Sequence, residues 1–230
     1  MILLIPAFNP DFKLLQLVDE LIKFDVEKII IVNDGSFPSS DGVFGKLRLY
    51  PQCLVLNHKQ NMGKGKALKS GFKYIHDNFP NTGGLVTIDC DGQHKPQDIK
   101  KVLQKLSSVS NSLVLGSRRV GRQMPWKSLI GNLFSRFLLF GITGKWLADT
   151  QTGLRGIPNQ LIPELLKING NGFEYEFNSL ISLSKAKVNF IEVGIQTIYI
   201  EKNKSSHFLP ISDSLKIFVS ALKSFVNYPF

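Results

Sequence analysis

Two carboxylates one residue apart follow a short apolar segment of this 230-residue chain: Asp89 and Asp91 come directly after residues 84–88. Side chains alternate along an extended backbone, so both carboxylates point to the same side. Like charges at this spacing repel each other unless a proton or a cation lies between them. Oxygen ligands suit Mg²⁺ or Mn²⁺, which commonly bridge to a substrate phosphate, and Gln93 and His94 offer further ligands. The alternative is an ordinary polar turn after a strand.

The elements that must position this pair alternate between strand-like and helix-like patterns. Short apolar segments predict strands at residues 2–5, 28–32, 53–56, 84–88 and 113–115. Helical spacing of apolar residues predicts helices at residues 14–22, 43–49, 61–76 and 96–106. This alternation indicates an α/β fold with a mostly parallel sheet and crossover helices. Because ligands bind at the carboxyl ends of such strands, we expect one crevice to collect four residues: Asn9, Asp34, Asn61 and Asp89.

The loops after the second and third strands each allow a chemical and a structural interpretation. Asp34 follows a β-branched segment, where its carboxylate can accept hydrogen bonds from a nucleobase edge or form an Asx turn. Gly63 and Gly65 let the backbone approach an anion, and Lys64 and Lys66 lie at a helix start, where the helix dipole also favours phosphate. The alternative is a flexible loop with solvated lysines. A P-loop is not predicted, because its fuller glycine spacing and its Ser/Thr are missing.

The second half of the chain adds an arginine cluster and an apolar helix. Arg118 ends a predicted strand and is followed by Arg119 and Arg122. Guanidinium groups suit phosphate better than ammonium groups do, although a solvated basic loop is the alternative. Apolar residues at helical spacing predict a helix over residues 126–140, whose apolar stripe belongs either to the core or to a membrane interface. A helix starting near residues 173–177, a strand-like segment at 189–200 and a last helix from about residue 213 complete the prediction.

The composition restricts the class of protein and its partners. The chain is 43% hydrophobic, enough for one large α/β domain with a core. A net charge of +10 indicates a polyanionic partner, namely nucleic acid, a phosphate-bearing substrate or an anionic membrane face. Two cysteines form no disulfide framework, which fits a reducing compartment. We interpret the first residues as a strand and not a signal peptide, and no uncharged apolar segment is long enough to span a membrane.

Six segments, taken in order, resemble the motifs of family 2 glycosyltransferases with a GT-A fold. They are IPAFN at 5–9, VNDGS at 32–36, NMGKGKA at 61–67, DCDGQHKP at 89–96, GSR at 116–118 and DTQTGLR at 149–155. Within the family the chain most resembles the polyprenyl-phosphate sugar synthases, the dolichyl-phosphate mannose synthase-like group. The resemblance covers nearly the whole chain. It implies one glycosyltransferase domain over residues 1–230, with a nucleotide-sugar-binding half at 1–117 and an acceptor-binding half at 118–230.

The resemblance also implies a role for each matching residue. The donor site would contain Pro6, Ala7, Asn9, Asp34, Asn61, Gly63, Lys64 and Asp89, with Asp34 reading the base. Mg²⁺ or Mn²⁺ would be held by Asp89, Asp91 and Gln93. The acceptor phosphate would meet Arg118, Arg119, Arg122 and Arg155, together with Lys202, Lys204 and His207 of the basic segment near the end of the chain. The catalytic candidates are Asp91, Asp149 and Arg118.

The chemical nature of the acceptor decides whether the reaction needs a base. The nucleoside diphosphate that leaves needs a cation, and attack from the opposite face inverts the anomeric carbon. A lipid phosphate is already ionised and needs only cationic positioning, which Arg118 and its neighbours can supply. A hydroxyl acceptor needs a base, for which Asp149 is the first candidate, with Glu174 and Glu176 behind it. Otherwise Asp149 is a turn carboxylate paired with Arg155. The number of arginines favours the phosphate acceptor.

We therefore expect a metal-dependent inverting glycosyltransferase that moves a sugar from a UDP- or GDP-sugar to a polyprenyl or dolichyl phosphate. We expect it to be cytoplasmic, peripheral at the cytoplasmic membrane face, and without a nucleic-acid partner. One alternative is transfer to a saccharide hydroxyl. Another is a non-enzymatic basic nucleic-acid-binding module, although no zinc pattern, helix-turn-helix signature or aromatic RNA-binding motif is present. The sequence leaves the sugar, the base and the oligomeric state open.

Overall fold

A computed structural model of the protein describes residues 1–118 and 126–196, and only the backbone of residues 126–128. In these ranges the strands are β1 (Ile2–Ala7), β2 (Lys28–Asn33), β3 (Cys53–Asn57), β4 (Gly84–Thr87), β5 (Ser112–Arg118), β6 (Arg155–Pro158) and β7 (Asn189–Ile195). The helices are α1 (Phe12–Leu21), α2 (Asp41–Leu47), α3 (Lys64–Asn78), α4 (Pro96–Ser107), α5 (Trp126–Thr143), α6 (Ile162–Lys167) and α7 (Glu174–Lys185). Short 3₁₀ turns at Pro38–Ser40 and Asn159–Leu161 precede α2 and α6.

The strands form one seven-stranded sheet in the order β3-β2-β1-β4-β6-β5-β7. Its pairs are parallel except for those of β6, which runs antiparallel to both β4 and β5. The predicted mostly parallel sheet with crossover helices is therefore confirmed. Sequence patterns missed β6, whose four residues, Arg-Gly-Ile-Pro, carry no strand periodicity. The helix α6 was missed as well, and it has only six residues.

Both faces of the sheet are covered, which explains the continuous apolar strands of the sequence. Ile2 and Leu4 of β1 face a core cluster that includes residues of α3, α6 and α7. Leu3 and Ile5 face the opposite cluster, formed with α1, α2 and α4. Side chains that alternate along one strand thus enter two different cores. The predicted helices α1 to α4 are confirmed, with ends that differ from the prediction by a few residues.

One edge of the sheet collects the loops that carry the sequence motifs. The parallel register pairs Ala7 with Asn33, and Asn33 with Asn57, so the first three strands end together. The antiparallel direction of β6 places its first residue, Arg155, beside the last residue of β4, Thr87. Arg155 also pairs with Leu115 of β5. The segment that precedes β6 therefore lies at the same edge of the sheet as the loops that follow β1 to β4 and as the last residue of β5.

Candidate active site

The carboxylate of Asp89, just after β4, contacts two basic side chains. Its Oδ1 lies 2.7 Å from Nζ of Lys64, and its Oδ2 lies 3.4 Å from Nε2 of His94. Burial opposes the ionisation of Asp89, but Lys64 and His94 outweigh burial and hold the pKa of this carboxyl well below its usual value. Gly153 lies so close that a Cβ at that position would clash with Asp89 Oδ2. Asp89 is therefore a fixed anion at the sheet edge.

The second carboxylate, Asp91, has the opposite electrostatic environment. Burial and the neighbouring charge of Asp89 raise the pKa of its carboxyl group. Its Oδ1 accepts a hydrogen bond from the backbone N–H of Gln93 at 3.0 Å, so the segment also forms a polar turn. A cation between the two carboxylates would relieve their repulsion.

The donor set of this turn fits Mg²⁺ or Mn²⁺, which prefer oxygen ligands and often complete their coordination with substrate phosphates. Over residues 1–118 and 126–196, no three His, Cys, Asp or Glu side chains converge as a ready metal site. Asp89 and Asp91 would therefore need the amide oxygen of Gln93, or oxygens of a substrate, to surround the ion.

Lys64, the first residue of α3, connects the end of β4 to α7. Besides its contact with Asp89, its Nζ lies 2.7 Å from Oε2 of Glu176. Burial by itself lowers the pKa of an ammonium group, but Asp89 and Glu176 outweigh burial and raise the pKa of Lys64 above its usual value. From the sequence, we expected Lys64 at the donor site, and we ranked Glu176 after Asp149 as a candidate base. The structure brings Lys64 and Glu176 together with Asp89.

The carboxylate of Asp34 is turned into the protein and is only 2% exposed. It accepts hydrogen bonds from the backbone N–H groups of Met62 and Gly63, at 3.0 and 2.8 Å. Asp34 Oδ1 also lies 2.6 Å from Nδ1 of His58, whose Nε2 lies 2.8 Å from the hydroxyl of Ser70. Asp34 thus holds the loop after β3 against β2. Its predicted contact with a base stays a prediction, and His58 is a residue that the sequence patterns did not single out.

The glycines at the start of α3 serve a close approach between two protein segments. Gly63 has a positive φ of 95°, and a Cβ there would clash with the carbonyl oxygen of Asn171. The N–H groups of Gly65 and Lys66 donate to the carbonyls of Gly172 and Asn171, at 3.2 and 3.0 Å. The sequence led us to expect that these glycines admit an anion. In the structure they admit the segment before α7, which brings Glu176 within reach of Lys64.

The remaining predicted donor contacts lie in or beside β1 and β3. Asn9 has a positive φ of 49°, and its Oδ1 accepts a hydrogen bond from the N–H of Phe37 at 2.8 Å. Its own N–H donates to the loop after β2, so Asn9 connects the first two loops. Pro6 and Ala7 are buried at the end of β1, and Asn61 is exposed. The register of the sheet brings all four to the same edge as Asp89.

Arg118, the last residue of β5, forms a two-point ion pair with Asp149. Its Nε and Nη2 donate to the two carboxylate oxygens, at 2.5 and 2.9 Å, and its backbone N–H donates at 3.2 Å. Asp149 is fully buried and also accepts from the N–H of Gln151. The partner of Asp149 is therefore Arg118 and not Arg155, which corrects the pairing suggested by sequence proximity. The pairing spans 31 residues and joins the end of β5 to the loop that precedes β6.

Arg155 is buried below the sheet edge. Its Nε donates to the carbonyl of Thr152 at 2.9 Å, and its Nη1 donates to the carbonyl of Glu176 and the hydroxyl of Ser179, at 2.8 and 2.9 Å. These contacts fix the first turn of α7, and thereby the position of Glu176. The role of Arg155 in holding an acceptor phosphate stays a prediction.

Five predicted acceptor residues lie outside the described residues: Arg119, Arg122, Lys202, Lys204 and His207. The predicted last helix, from about residue 213, lies outside them as well.

Two polar side chains of helix α5 face inward, and most of the large apolar side chains described on it face outward. Asn132 and Ser135 are buried, and both form hydrogen bonds with Thr150. The hydroxyl oxygens of Ser135 and Thr150 lie 2.6 Å apart. The exposed large apolar side chains are Leu129, Ile130, Leu133, Phe134, Phe137 and Phe140, with Trp146 just after the helix. We call this set the α5 apolar face. The sequence left open whether the stripe is core or interface. In the structure its members Leu129, Ile130, Leu133, Phe134 and Phe137 are exposed, whereas Leu138 packs against the core.

Aromatic contacts organise the α5 apolar face. Phe137 and Phe140 meet Trp146 edge to face, with ring centroids 5.2 and 5.9 Å apart. The guanidinium of Arg136 lies over the same indole ring, 4.6 Å from its centroid. Lys145, by contrast, turns inward and donates to the carbonyl of Val188 at 2.7 Å. A contiguous exposed apolar patch of this kind usually marks a site where the protein interacts with a partner or a membrane. Among the described residues, no helix is both long enough and apolar enough to cross a membrane.

Comparison with known proteins defines the class to which this sheet and its polar edge belong. The sequence model of glycosyl transferase family 2 matches residues 2–166, so the chain belongs to that family and is a glycosyltransferase. The predicted GT-A fold is also confirmed. The structure superimposes with a TM-score of 0.70 on glucosyl-3-phosphoglycerate synthase from Mycobacterium tuberculosis, crystallised with Mn²⁺, UDP and phosphoglyceric acid. That match has 16% identity and covers 100% of this chain and 79% of the other.

Two relatives have a higher sequence identity to this chain than the protein of that structure has. The chain is 31% identical over 217 residues to the UDP-N-acetylglucosamine–dolichyl-phosphate N-acetylglucosaminyltransferase of Methanococcus voltae, a match that covers 86% of each protein. It is 25% identical over 214 residues to the undecaprenyl-phosphate mannosyltransferase of Micrococcus luteus, covering 88% of this chain and 85% of that one. The family resemblance found in the sequence motifs is therefore confirmed.

Proposed function

We propose that the protein transfers a sugar from a UDP- or GDP-linked donor to a polyprenyl or dolichyl phosphate, with Mg²⁺ or Mn²⁺ and with inversion at the anomeric carbon. The observation that carries the proposal is the Asp89–Asp91 pair at the sheet edge, where the loops after four parallel strands meet. The relatives from Methanococcus voltae and Micrococcus luteus are named for transfer to dolichyl and undecaprenyl phosphate, which supports the same acceptor class here.

The donor end of the reaction depends on the carboxylates. Asp89 and Asp91, with Gln93, would hold the divalent cation, which when bound neutralises the charge that develops on the leaving diphosphate. Asp89 is already ionised and fixed by its neighbours, so it would offer its charge without rearranging the loop. Lys64 supplies a second positive charge beside the same carboxylate.

The acceptor end needs positioning and no base. The phosphate oxygen of the acceptor attacks the anomeric carbon as the bond to the diphosphate breaks, and the bonding electrons leave with the nucleoside diphosphate. Arg118 would steer this phosphate, with its guanidinium oriented by Asp149. Asp149 is fully buried and paired with Arg118, an environment that suits an anchor better than a general base for a hydroxyl. This environment favours the phosphate acceptor over the saccharide hydroxyl.

A membrane location would bring the enzyme to its acceptor, whose lipid tail stays in the bilayer. We propose that the α5 apolar face docks on the cytoplasmic face of the membrane, with the protein cytoplasmic and peripheral. Half-exposed aromatic rings suit insertion at the level of the head groups. The net charge of +10 would add attraction to anionic lipids.

A panel of UDP- and GDP-sugars tests the proposal, each incubated with polyprenyl phosphate and Mg²⁺ or Mn²⁺. The expected product is the glycosylated polyprenyl phosphate, identified by its mass, and it should be lost in EDTA. A soluble saccharide acceptor serves as the comparison for hydroxyl transfer, and a nucleic-acid filter-binding assay tests the non-enzymatic alternative. Product on the saccharide alone, or no product from any donor, would contradict the proposal.

A further inference from the structure

The ammonium group of Lys64 occupies a position shared by three elements of the fold. It lies 2.7 Å from a carboxylate oxygen of Asp89, after β4, and 2.7 Å from one of Glu176, in the first turn of α7. The side chains of Lys64 and Glu176 are only 15% and 12% exposed, so water screens these contacts weakly. The bridge is therefore an organised part of the site.

The same ammonium contacts a carboxylate that we assign to the divalent cation. A metal ion bound to Asp89 Oδ1 and an ammonium at 2.7 Å from that oxygen would repel each other. Lysine carries a compact charge on a flexible four-carbon chain, and it binds phosphates well as a point charge. Lys64 is thus able to leave Asp89 for a nearby anion.

The backbone at Glu176, the other end of the bridge, is held in place. The carbonyl of Glu176 accepts a hydrogen bond from Nη1 of the buried Arg155 at 2.8 Å, which holds the first turn of α7. The neighbouring Glu174 is engaged elsewhere, because its Oε1 accepts from the N–H groups of Asn171 and Gly172. Glu176 can therefore keep the ammonium at the site while Lys64 changes its second partner.

We propose that Lys64 is a counter-ion that exchanges partners when the donor binds. Without nucleotide it bridges Asp89 and Glu176. When a nucleoside diphosphate and a divalent cation bind, the ammonium passes from Asp89 to the diphosphate, which leaves the Asp89 carboxylate in place for the cation. The inference rests on the proposed function, since it needs a nucleotide-linked donor. It explains how the free protein would disfavour a metal ion that arrives without nucleotide, so that metal and nucleotide bind cooperatively.

Mn²⁺ binding tests the exchange without any need for turnover. The free Mn²⁺ signal in electron paramagnetic resonance is titrated with wild type and with Lys64→Met, first without nucleotide and then with UDP or GDP. Without nucleotide, Lys64→Met should bind Mn²⁺ about 10-fold more tightly, because no ammonium competes for Asp89. With Mn²⁺ present, the same variant should bind UDP or GDP at least about 10-fold more weakly. Lys73→Met is the control, since it removes a charge from an exposed part of α3 and should change neither affinity.

The opposite signs of the two effects separate the exchange from a structural role, which would weaken both affinities. A second variant, Glu176→Gln, keeps the shape of the side chain and covers the case in which Lys64→Met does not fold. It should weaken Mn²⁺ binding without nucleotide, because Lys64 then has only Asp89 as its charged partner in the bridge. Unchanged Mn²⁺ affinity in both variants, or weaker binding by Lys64→Met, overturns the exchange while leaving the proposed function standing. If wild type binds neither UDP nor GDP in the presence of Mn²⁺, both the exchange and the proposed function are refuted.

Discussion

Replacing Phe134 and Phe137 by serine tests whether the α5 apolar face docks on a membrane. The two rings lie next to each other on this face and are 46% and 58% exposed. Burying a whole phenylalanine side chain contributes about 1.5–3 kcal/mol. About half of each ring is available for insertion, so the pair would contribute roughly 1.5–3 kcal/mol to membrane binding. The double variant should therefore partition to vesicles about 10–150-fold more weakly than wild type.

The cost of the same substitutions to folding is limited by the same exposure. Truncating a fully buried phenylalanine costs about 3–5 kcal/mol, and two such sites would add up to a large loss of stability. The half-exposed rings should cost roughly half of this or less, including the edge contact between Phe137 and Trp146, which is worth about 0.5–1.5 kcal/mol. The double variant should remain folded at room temperature.

Leu139→Ser is the matched control, since Leu139 lies on the same helix and is fully buried. It should lower the free energy of unfolding by about 2–5 kcal/mol and leave vesicle binding of the folded protein unchanged. The assay is co-sedimentation with anionic vesicles at low and high salt, with thermal unfolding measured on the same samples. The reasoning is refuted if wild type does not bind vesicles at low salt. It is also refuted if the double variant loses as much stability per ring as a buried phenylalanine would.

Three further predictions concern the site and the thiols. Asp91→Asn keeps the Oδ1 that accepts from the backbone, so the turn should stay folded while turnover falls by about 100-fold or more; a fully active variant would exclude Asp91 as a metal ligand. Arg118→Ala leaves the buried carboxylate of Asp149 without its cation, so chemical denaturation should show a loss of about 3–5 kcal/mol, and the double change with Asp149→Asn should lose less. Burial raises the pKa of Cys90 to about 12 and that of Cys53 to about 11, so a thiol reagent at pH 8 should label the folded protein slowly and the unfolded protein fast. Rapid labelling of the native protein would contradict the raised pKa values of these two thiols.

The sequence determined the frame of the sheet and the position of the carboxylate pair. Apolar segments alternating with helical patterns identified β1 to β5 and α1 to α4, because each pattern reflects contacts that an element makes along its own length. The position of Asp89 at a strand end followed from the same local reading, since the apolar segment stops there. The motifs then identified the family, which the match over residues 2–166 confirmed.

Only the tertiary structure decided which distant residues meet. The short strand β6 gives no local signal, yet its antiparallel insertion between β4 and β5 brings Arg155 and the segment before it to the site. The contact of Lys64 with Glu176 joins α3 to α7, and sequence spacing carries no information on such a pairing. Asp149 likewise pairs with Arg118 and not with Arg155, its closer neighbour in sequence.

For helix α5, too, the sequence pattern could not decide which side chains are buried. Its periodicity grouped Leu129, Ile130, Leu133, Phe134 and Phe137, which are all exposed, because a helix repeats every 3.6 residues whatever surrounds it. Leu138, grouped with them, packs against the core instead. Periodicity does not say whether a helix face meets the core or the solvent. The buried loop of Thr150 offers hydrogen-bonding groups that Asn132 and Ser135 satisfy, so the polar side of the helix turns inward and the rings of Phe134 and Phe137 turn outward.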